Sequence, residues 1–506
     1  MRGDADAMSK RRAILADGAI AVAIAATATA LCVVTRLQRI FGNDGAMLVD
    51  WTFAPASAYT QYHNTLYLPA ARAVAALGLD RLCGGAAEPT AIGHALSAVS
   101  VGALAALSYA LARSLAASRV AALAGAALAT LAPVTWFFGA AVEVHSLHGA
   151  IVAGVMLATL HLPWRQPTTA TALLAALLVV PCMSHQTAPA LAPGFLVLAA
   201  AAAARGGAPL AWPRLAGVAA ALGAAVGLGH LLVQWRRGLG FWPDFGSVAA
   251  TATTWRQPFA PDFVLREIAL PLGTLLGVFV LAMACRRIDW RARVACAAFV
   301  VPMLGAIAWY GVREHGGFTL QATPALALAT ALWMDALRGE ATRRESTRSE
   351  APRPWRASAM AAIAALIAAQ AALGWRDVRG FDAEGHSLRE RRLRIEQFGG
   401  ATARVVSCND NAPLITHWLP QAIEWNLTKT LGGDPPLVAW LQGVQQQMLP
   451  FLATGPVLLE RSYARRSDLP PCVVEGMAAV EAWLRRDCEV AEHDDPSWPL
   501  WVVKGR

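Results

Sequence analysis

A chain of 506 residues that is 56% hydrophobic and only 15% charged, with a mean hydropathy of +0.42, has too little polar surface to cover a soluble globule of that size. Composition therefore excludes an ordinary soluble enzyme and places the chain in a membrane. The formal net charge of +9 needs no nucleic-acid partner, because it follows from how the basic residues are shared between the two sides of a bilayer.

Lys10, Arg11 and Arg12 precede an apolar run over residues 14 to 35. The run is too long for a signal-peptide core and no cleavage site follows it, so it reads as a signal anchor with its N-terminus in the cytoplasm. Next comes the one long polar interval in the first third of the chain, an outer loop over residues 36 to 90. Its segment FGNDGAMLVDWTFAPASAYTQYHNTLYLPAAR carries Asp44, Asp50, His63, Asn64 and Arg72 between two hydrophobic stretches. Membrane enzymes keep chemistry in such a place, although a solvated loop would look similar. Residues 66 to 79 are apolar but too short to cross about 30 Å of hydrocarbon, and read as a helix lying in the outer interface.

Further apolar runs of spanning length lie near residues 91–112, 120–136, 140–162, 168–184, 187–204, 215–235, 264–285, 294–312, 319–337 and 358–375, about eleven spans with the first. The expected fold is thus a multi-pass α-helical membrane domain over residues 1–375, followed by a separate soluble domain over residues 376–506. In that tail, residues 402–407, 457–459 and 501–503 read as short buried strands, and 413–427, 437–452 and 474–486 carry helical patterning, so a small α/β domain is expected. Asn409-Asp410-Asn411 would end its first strand, either capping the next helix or holding a ligand.

With the N-terminus inside, the cytoplasmic segments hold 19 Lys and Arg, the outer loops 9 and the tail 15. This follows the positive-inside rule, and an odd number of spans puts the tail outside the cytoplasm. The expected location is the inner membrane of a cell with a periplasm or its equivalent. Trp136, Trp164, Trp235, Trp309, Trp333 and Trp375 fall near span ends, where interfacial anchors are expected. Cys32, Cys182, Cys285 and Cys296 read as small core residues, whereas Cys408, Cys472 and Cys488 in the tail allow one disulfide in three pairings.

Ionisable residues in or beside the spans gather at one leaflet. Glu143, His145 and His148 open the fourth span, His185 closes the fifth, His230 nears the end of the seventh, Glu267 begins the eighth, and Glu314 and His315 follow the ninth. All fall at outer helix ends, which favours an outward-facing polar cavity. Asp335 is the exception, at an inner end, with Arg338 three residues on as its expected partner. Within VEVHSLH, Glu143 and Ser146 share one helix face, and His145 and His148 another. Arg72, Arg236, Arg237, Arg256 and Arg313 run against the charge bias, and either snorkel to the interface or hold a phosphate there.

On these residues the chain resembles the GT-C class of integral-membrane glycosyltransferases, and most closely the branch similar to protein O-mannosyltransferases. The resemblance lies in Asp44 or Asp50 followed by His63-Asn64-Thr65-Leu66-Tyr67-Leu68-Pro69, in Trp136 followed by Glu143-Val144-His145-Ser146-Leu147, and in Ser184-His185-Gln186-Thr187 before Pro193-Gly194. Asn409-Asp410-Asn411 and Trp418-Leu419-Pro420-Gln421 add a fourth patch. The chain departs from the family in its first loop, where Asp44-Gly45-Ala46 lacks a second acid. The resemblance implies transfer of a sugar from a polyprenyl-phosphate donor to a glycan, lipid or protein acceptor at the outer face, inverting at the anomeric carbon, with a loop Asp as general base.

The chemistry of the residues is compatible with that. A carboxylate partly desolvated at the membrane edge is suited to take a hydroxyl proton, and Arg residues stabilise the charge of a leaving phosphate. That phosphate leaves readily, so the sequence requires no cofactor, a divalent metal is optional, and no CxxC or His-Cys spacing argues for one. The candidate site is therefore Asp44 and Asp50 as catalytic acids, with His63, Arg72, Glu143, His145, His148, His185, Arg236, Arg237 and Arg313 binding substrate. A transporter would place its polar groups at mid-depth, and a non-catalytic subunit of a polysaccharide assembly system would need none of them.

Overall fold

The computed structural model describes residues 2–38, 45, 48, 49, 52, 53, 66–85, 88, 90–115, 117–185, 187–206, 212–236, 259–311, 314–347, 353–383, 388–400, 404–407, 423–426, 437–461, 471–493 and 500–506. Among the described residues six helices are long and apolar enough to cross a membrane, and up to eight if each of two bent pairs is one span. That count is of the described residues alone, and the eleven spans expected from sequence include stretches beyond them. Apolar length measured along a sequence does not register breaks, and the expected spans 120–136 and 264–285 are both broken.

The first break separates α4 (Arg119–Thr130) from α5 (Pro133–Ala140), which are inclined at 62°. Pro133 has no N–H to give and its ring bars the preceding residue from helical geometry, so Ala132 is extended at φ −57°, ψ 136°. The second separates α10 (Pro261–Leu272) from α11 (Thr274–Ala284), at 86°. Between them Gly273 sits at φ 56°, ψ −130°, a conformation open to glycine alone. The fourth expected span is shortened to α6 (His145–His161), 17 residues, because residues 141–144 turn before it begins.

α3 (Ala91–Ser114) is the central helix of the bundle, with 72% of its apolar stretch buried inside the protein. Only 11% of Arg12–Val34, in α1 (Arg2–Val34), and 17% of Met360–Asp382, in α14 (Arg353–Ala383), is buried, so these spans turn most of their apolar surface outward, as lipid-facing helices do. α7 (Pro167–Ser184), α8 (Ala192–Arg205), α9 (Trp212–Arg236), α12 (Trp290–Tyr310) and α13 (Thr323–Thr347) complete the bundle. The short helix expected over 66–79 is α2 (Tyr67–Ala76), continued by a 3-10 turn at Leu79–Cys83.

Two expected interfacial anchors are instead core residues. Trp136 is 5% exposed and its indole donates to Thr35 Oγ1 at 2.8 Å, while Trp164 is 3% exposed and donates to Thr159 O at 2.9 Å. Helix ends that pack on neighbours bury their rings against protein, and the indole N–H then needs a protein acceptor. Asp335 and Arg338 do not meet as a helical pair among the described contacts. Asp335 accepts from Ser118 N at 3.0 Å and Arg338 donates to Ser118 Oγ at 3.4 Å, so both tie the start of α4.

The segment after residue 403 builds a five-stranded sheet in the order β2 (Ile423–Asn426), β1 (Arg404–Ser407), β3 (Val457–Glu460), β5 (Leu500–Gly505), β4 (Cys488–His493). β2, β1 and β3 are parallel, whereas β5 runs antiparallel to both β3 and β4. Strand alternation sends Val406, Val457, Leu459, Trp501 and Val503 to one face, against α16 (Leu437–Leu452) and α17 (Pro471–Asp487). Val405, Leu458, Leu500 and Val502 go to the other, against Ile395 of α15 (Leu388–Gly399). Cys488 is a buried free thiol that burial pushes above its usual range, which removes two of the three expected disulfide pairings. The side chains of Cys408 and Cys472 lie outside the described residues.

Candidate functional site

The turn that shortens α6 is also what builds the site. Ser97 of α3 donates its hydroxyl to Glu143 O at 3.2 Å, and Glu143 Oε2 accepts the N–H of Val144 at 2.7 Å. Glu143 thus satisfies a backbone donor left over where the helix starts, the role a capping acid plays. It is 3% exposed, and the imidazoles that follow it are equally enclosed, His145 at 4% and His148 at 1%.

His185, 2% exposed, arrives from the end of α7 and completes a cluster of three imidazoles. Its ring lies 5.4 Å from that of His145 and 5.2 Å from that of His148. Phe138 packs edge-on to His145 at 5.0 Å, and Phe318 packs edge-on to His145 at 5.3 Å and to His185 at 5.5 Å. Phe318 belongs to a 3-10 segment, Gly317–Gln321, that lies against the cluster. Gly317 is required there by close approach, since a Cβ on it would stand 2.5 Å from His145 Cδ2.

Hydrogen bonds set the orientation of two rings. Ser184 donates its only proton to Pro181 O at 2.9 Å, so the short contact between Ser184 Oγ and His148 Nδ1 has the imidazole as donor. A neutral His148 then carries its lone pair on Nε2, beside Gln321. His185 Nδ1 accepts the N–H of Thr187 at 3.3 Å and lies 2.7 Å from Thr187 Oγ1, which Gln321 in turn contacts. His148 Nε2 and Gln321 Oε1 lack a hydrogen-bond partner among the described residues. The Thr187 hydroxyl, accepting from the Gln321 amide, has its one proton for His185 Nδ1. The whole is a buried cluster of imidazoles walled by aromatic rings and tied together through Ser184, Thr187 and Gln321.

Of the residues expected from sequence, the structure brings together His145, His148 and His185, with Glu143 two residues before His145. Arg72 is exposed on α2, and Arg236 ends α9 with its side chain outside the described residues. Asp44, Asp50, His63, Arg237 and Arg313, with Asn409-Asp410-Asn411, also lie outside them. Phe318 and Gln321 were not singled out in the sequence, and Thr187 entered only as the last residue of the Ser184-His185-Gln186-Thr187 patch. Of the first two, Gln321 alone left a trace there, as an amide inside an otherwise apolar run, FTLQATPALAL. Among the described residues no group of three or more His, Cys, Asp or Glu is arranged to hold a metal ion.

No family model matches the sequence, and no curated protein matches it either. Solved structures do match. ArnT from Cupriavidus metallidurans bound to undecaprenyl phosphate superposes with a TM-score of 0.56 at 14% identity, covering 95% of this chain and 97% of that one. The apo state of the same protein gives 0.54 at 15% identity, covering 96% and 98%. Both neighbours are ArnT, so the likeness lends no support to the O-mannosyltransferase branch in particular. It extends from end to end of both chains, and what it shows is the fold: this chain is folded like ArnT.

Proposed function

We propose that the chain is a membrane glycosyltransferase that moves a sugar from a polyprenyl-phosphate donor to a glycan, lipid or protein acceptor at the extracytoplasmic face. The observation that carries this reading is the end-to-end likeness to a structure that holds undecaprenyl phosphate. The enclosed imidazole cluster at one end of the bundle supports it. In the proposed reaction an acid of the first outer loop, Asp44 or Asp50, takes the proton of an acceptor hydroxyl as its oxygen attacks the anomeric carbon. The bond from that carbon to the phosphate oxygen breaks, its electron pair leaves with the polyprenyl phosphate, and the anomeric centre inverts. Arg72, Arg236, Arg237 and Arg313 hold the phosphate, and His63, Glu143, His145, His148 and His185 hold the sugar. The chain would sit in the inner membrane, with its N-terminus in the cytoplasm and residues 376–506 outside. A divalent metal is not a required part of the scheme, because the lipid phosphate leaves readily.

Asp44 lies nine residues beyond Thr35, a short tether that holds it near the membrane surface where a lipid-linked donor presents its phosphate. It is the assigned base. In membranes assayed for consumption of polyprenyl-phosphate-linked sugar, Asp44→Asn is expected to remove most turnover and leave donor binding intact, since the amide keeps the shape but takes no proton. Asp50→Asn is expected mainly to raise the acceptor requirement. The reverse pattern moves the role to Asp50, and unchanged transfer in both variants takes the loop out of the chemistry.

A further inference from the structure

Glu267 lies in a π-helical turn, Leu265–Ala269, within the outer half of the span broken at Gly273, and is 7% exposed. Single π-turns inside helices re-aim the residues they carry and recur at functional sites. Here the turn brings Glu267 to the loop that follows α12. Its Oε2 accepts the N–H of Glu314 at 3.0 Å and the N–H of Gly316 at 2.8 Å.

That loop closes its own turn, with Gly317 N donating to Glu314 O and Thr319 N to Gly316 O, each at 2.8 Å, and side chains from three other elements tie it to the bundle. His315 stands at φ 50° and Gly316 at φ 75°, both left-handed, a region that few side-chain-bearing residues enter, although histidine does so more readily than most. Besides the two bonds to Glu267, His315 Nε2 meets Asp377 Oδ2 at 3.0 Å and its ring packs against Phe137, tilted by 37° with centroids 4.1 Å apart. The very next residue is Gly317, pressed against His145, followed by Phe318 on His145 and His185 and by Gln321 on Thr187. A displacement of residues 314–316 is therefore passed straight to the wall of the imidazole cluster.

We propose that Glu267 is a positioning residue of the transfer site: by accepting the Glu314 and Gly316 N–H groups it fixes the left-handed turn that sets residues 317–321 against His145, His148 and His185. This rests on the function proposed above, and it assigns Glu267 no contact with the reacting atoms.

The test uses the full chain in lipid-containing detergent and three variants. Glu267→Ala removes the acceptor, Glu267→Gln keeps a carbonyl oxygen that accepts both N–H groups, and Glu267→Asp keeps the acid but shortens its reach. Hydrogen exchange of peptides covering residues 314–321 is measured beside steady-state transfer from a polyprenyl-phosphate-linked sugar. Glu267→Ala is expected to exchange at least about tenfold faster there and to lose about 10- to 100-fold in kcat, with KM for the donor within about threefold of wild type. Glu267→Gln should resemble wild type in both measurements. Should Glu267→Ala not fold, Glu267→Asp is expected to show the same two effects in reduced size, and wild-type behaviour of Glu267→Asp then overturns the proposal. Unchanged exchange in Glu267→Ala overturns it too, as does a Glu267→Gln variant as impaired as Glu267→Ala. A wild-type protein that transfers no sugar overturns the proposed function instead, and the exchange data still judge whether Glu267 holds the turn.

Discussion

Gly317 shows how tightly the imidazole wall is packed. A Cβ at that position would stand 2.5 Å from His145 Cδ2, 2.7 Å from His145 Nε2 and 2.9 Å from Phe138 Cζ, all closer than carbon tolerates. Both neighbours are buried rings with little room to retreat, so Gly317→Ala is an overpacking change costing about 1–3 kcal/mol. The expected outcome is a lower thermal midpoint together with lost transfer, measured on the purified variant; a variant as stable and active as wild type would mean that the wall is looser than these distances say. The three histidines were legible in the sequence because an ionisable residue in an apolar run is conspicuous and because His145 and His148 repeat at helical spacing. Phe318 was not, since an aromatic near a span end looks the same whether it lines a site or fills a gap. The acids assigned to the chemistry were equally legible, but Asp44 and Asp50 fall outside the described residues.

At the scale of elements, the break between α10 and α11 escaped the sequence because its stabilising partner lies almost a hundred residues away. Pro-Leu-Gly at 271–273 reads as a mild irregularity in a run apolar enough to cross. What makes the break stable is Gln370 of α14, fully buried, whose Oε1 accepts from Thr274 N at 2.7 Å and Thr274 Oγ1 at 2.8 Å while its Nε2 donates to Leu272 O at 3.0 Å. One side-chain amide replaces the hydrogen bonds that the kink removes, as irregular backbone at membrane depth requires. Gln370→Leu keeps the bulk and strands a buried N–H and a buried C=O, at about 1–3 kcal/mol each. The expected outcome is a clear drop in resistance to thermal or detergent unfolding, with faster hydrogen exchange at residues 270–276. An unaffected midpoint would show that the half-helices hold their angle without the amide. Breaks such as the one at Pro133 are easier to foresee, because their cause is in the residue itself.

On the scale of the whole molecule, two polar clusters mark the opposite ends of α3. Near its start, Ser97 meets the turn that opens the imidazole site. Near its end, Tyr109 and Arg113 meet Asp17 of α1 at 2.9 and 3.0 Å, and Arg119 joins them at 2.7 Å. The sixteen helical steps from Ser97 to Arg113 rise about 24 Å, close to one hydrocarbon thickness. A charged cluster at one end and a site at the other therefore fit opposite faces of a bilayer. The Asp17 end is the basic one, next to Lys10, Arg11 and Arg12, and the positive-inside rule assigns it to the cytoplasm. α14 then decides where the tail emerges. It starts in the Arg-rich stretch at Arg353 and ends among contacts of the other end, with Asp377 on His315 and Asp382 accepting Gln38 N at 2.9 Å just past the end of α1. The sheet that follows is thus delivered on the side of the imidazole site, and residues 376–506 are expected outside the cytoplasm. A reporter active only in the cytoplasm, fused after Arg506, should be silent, and one active only outside should report strongly. Strong cytoplasmic activity would reverse the orientation of the bundle and place the site, with any lipid-linked donor it uses, on the inner face.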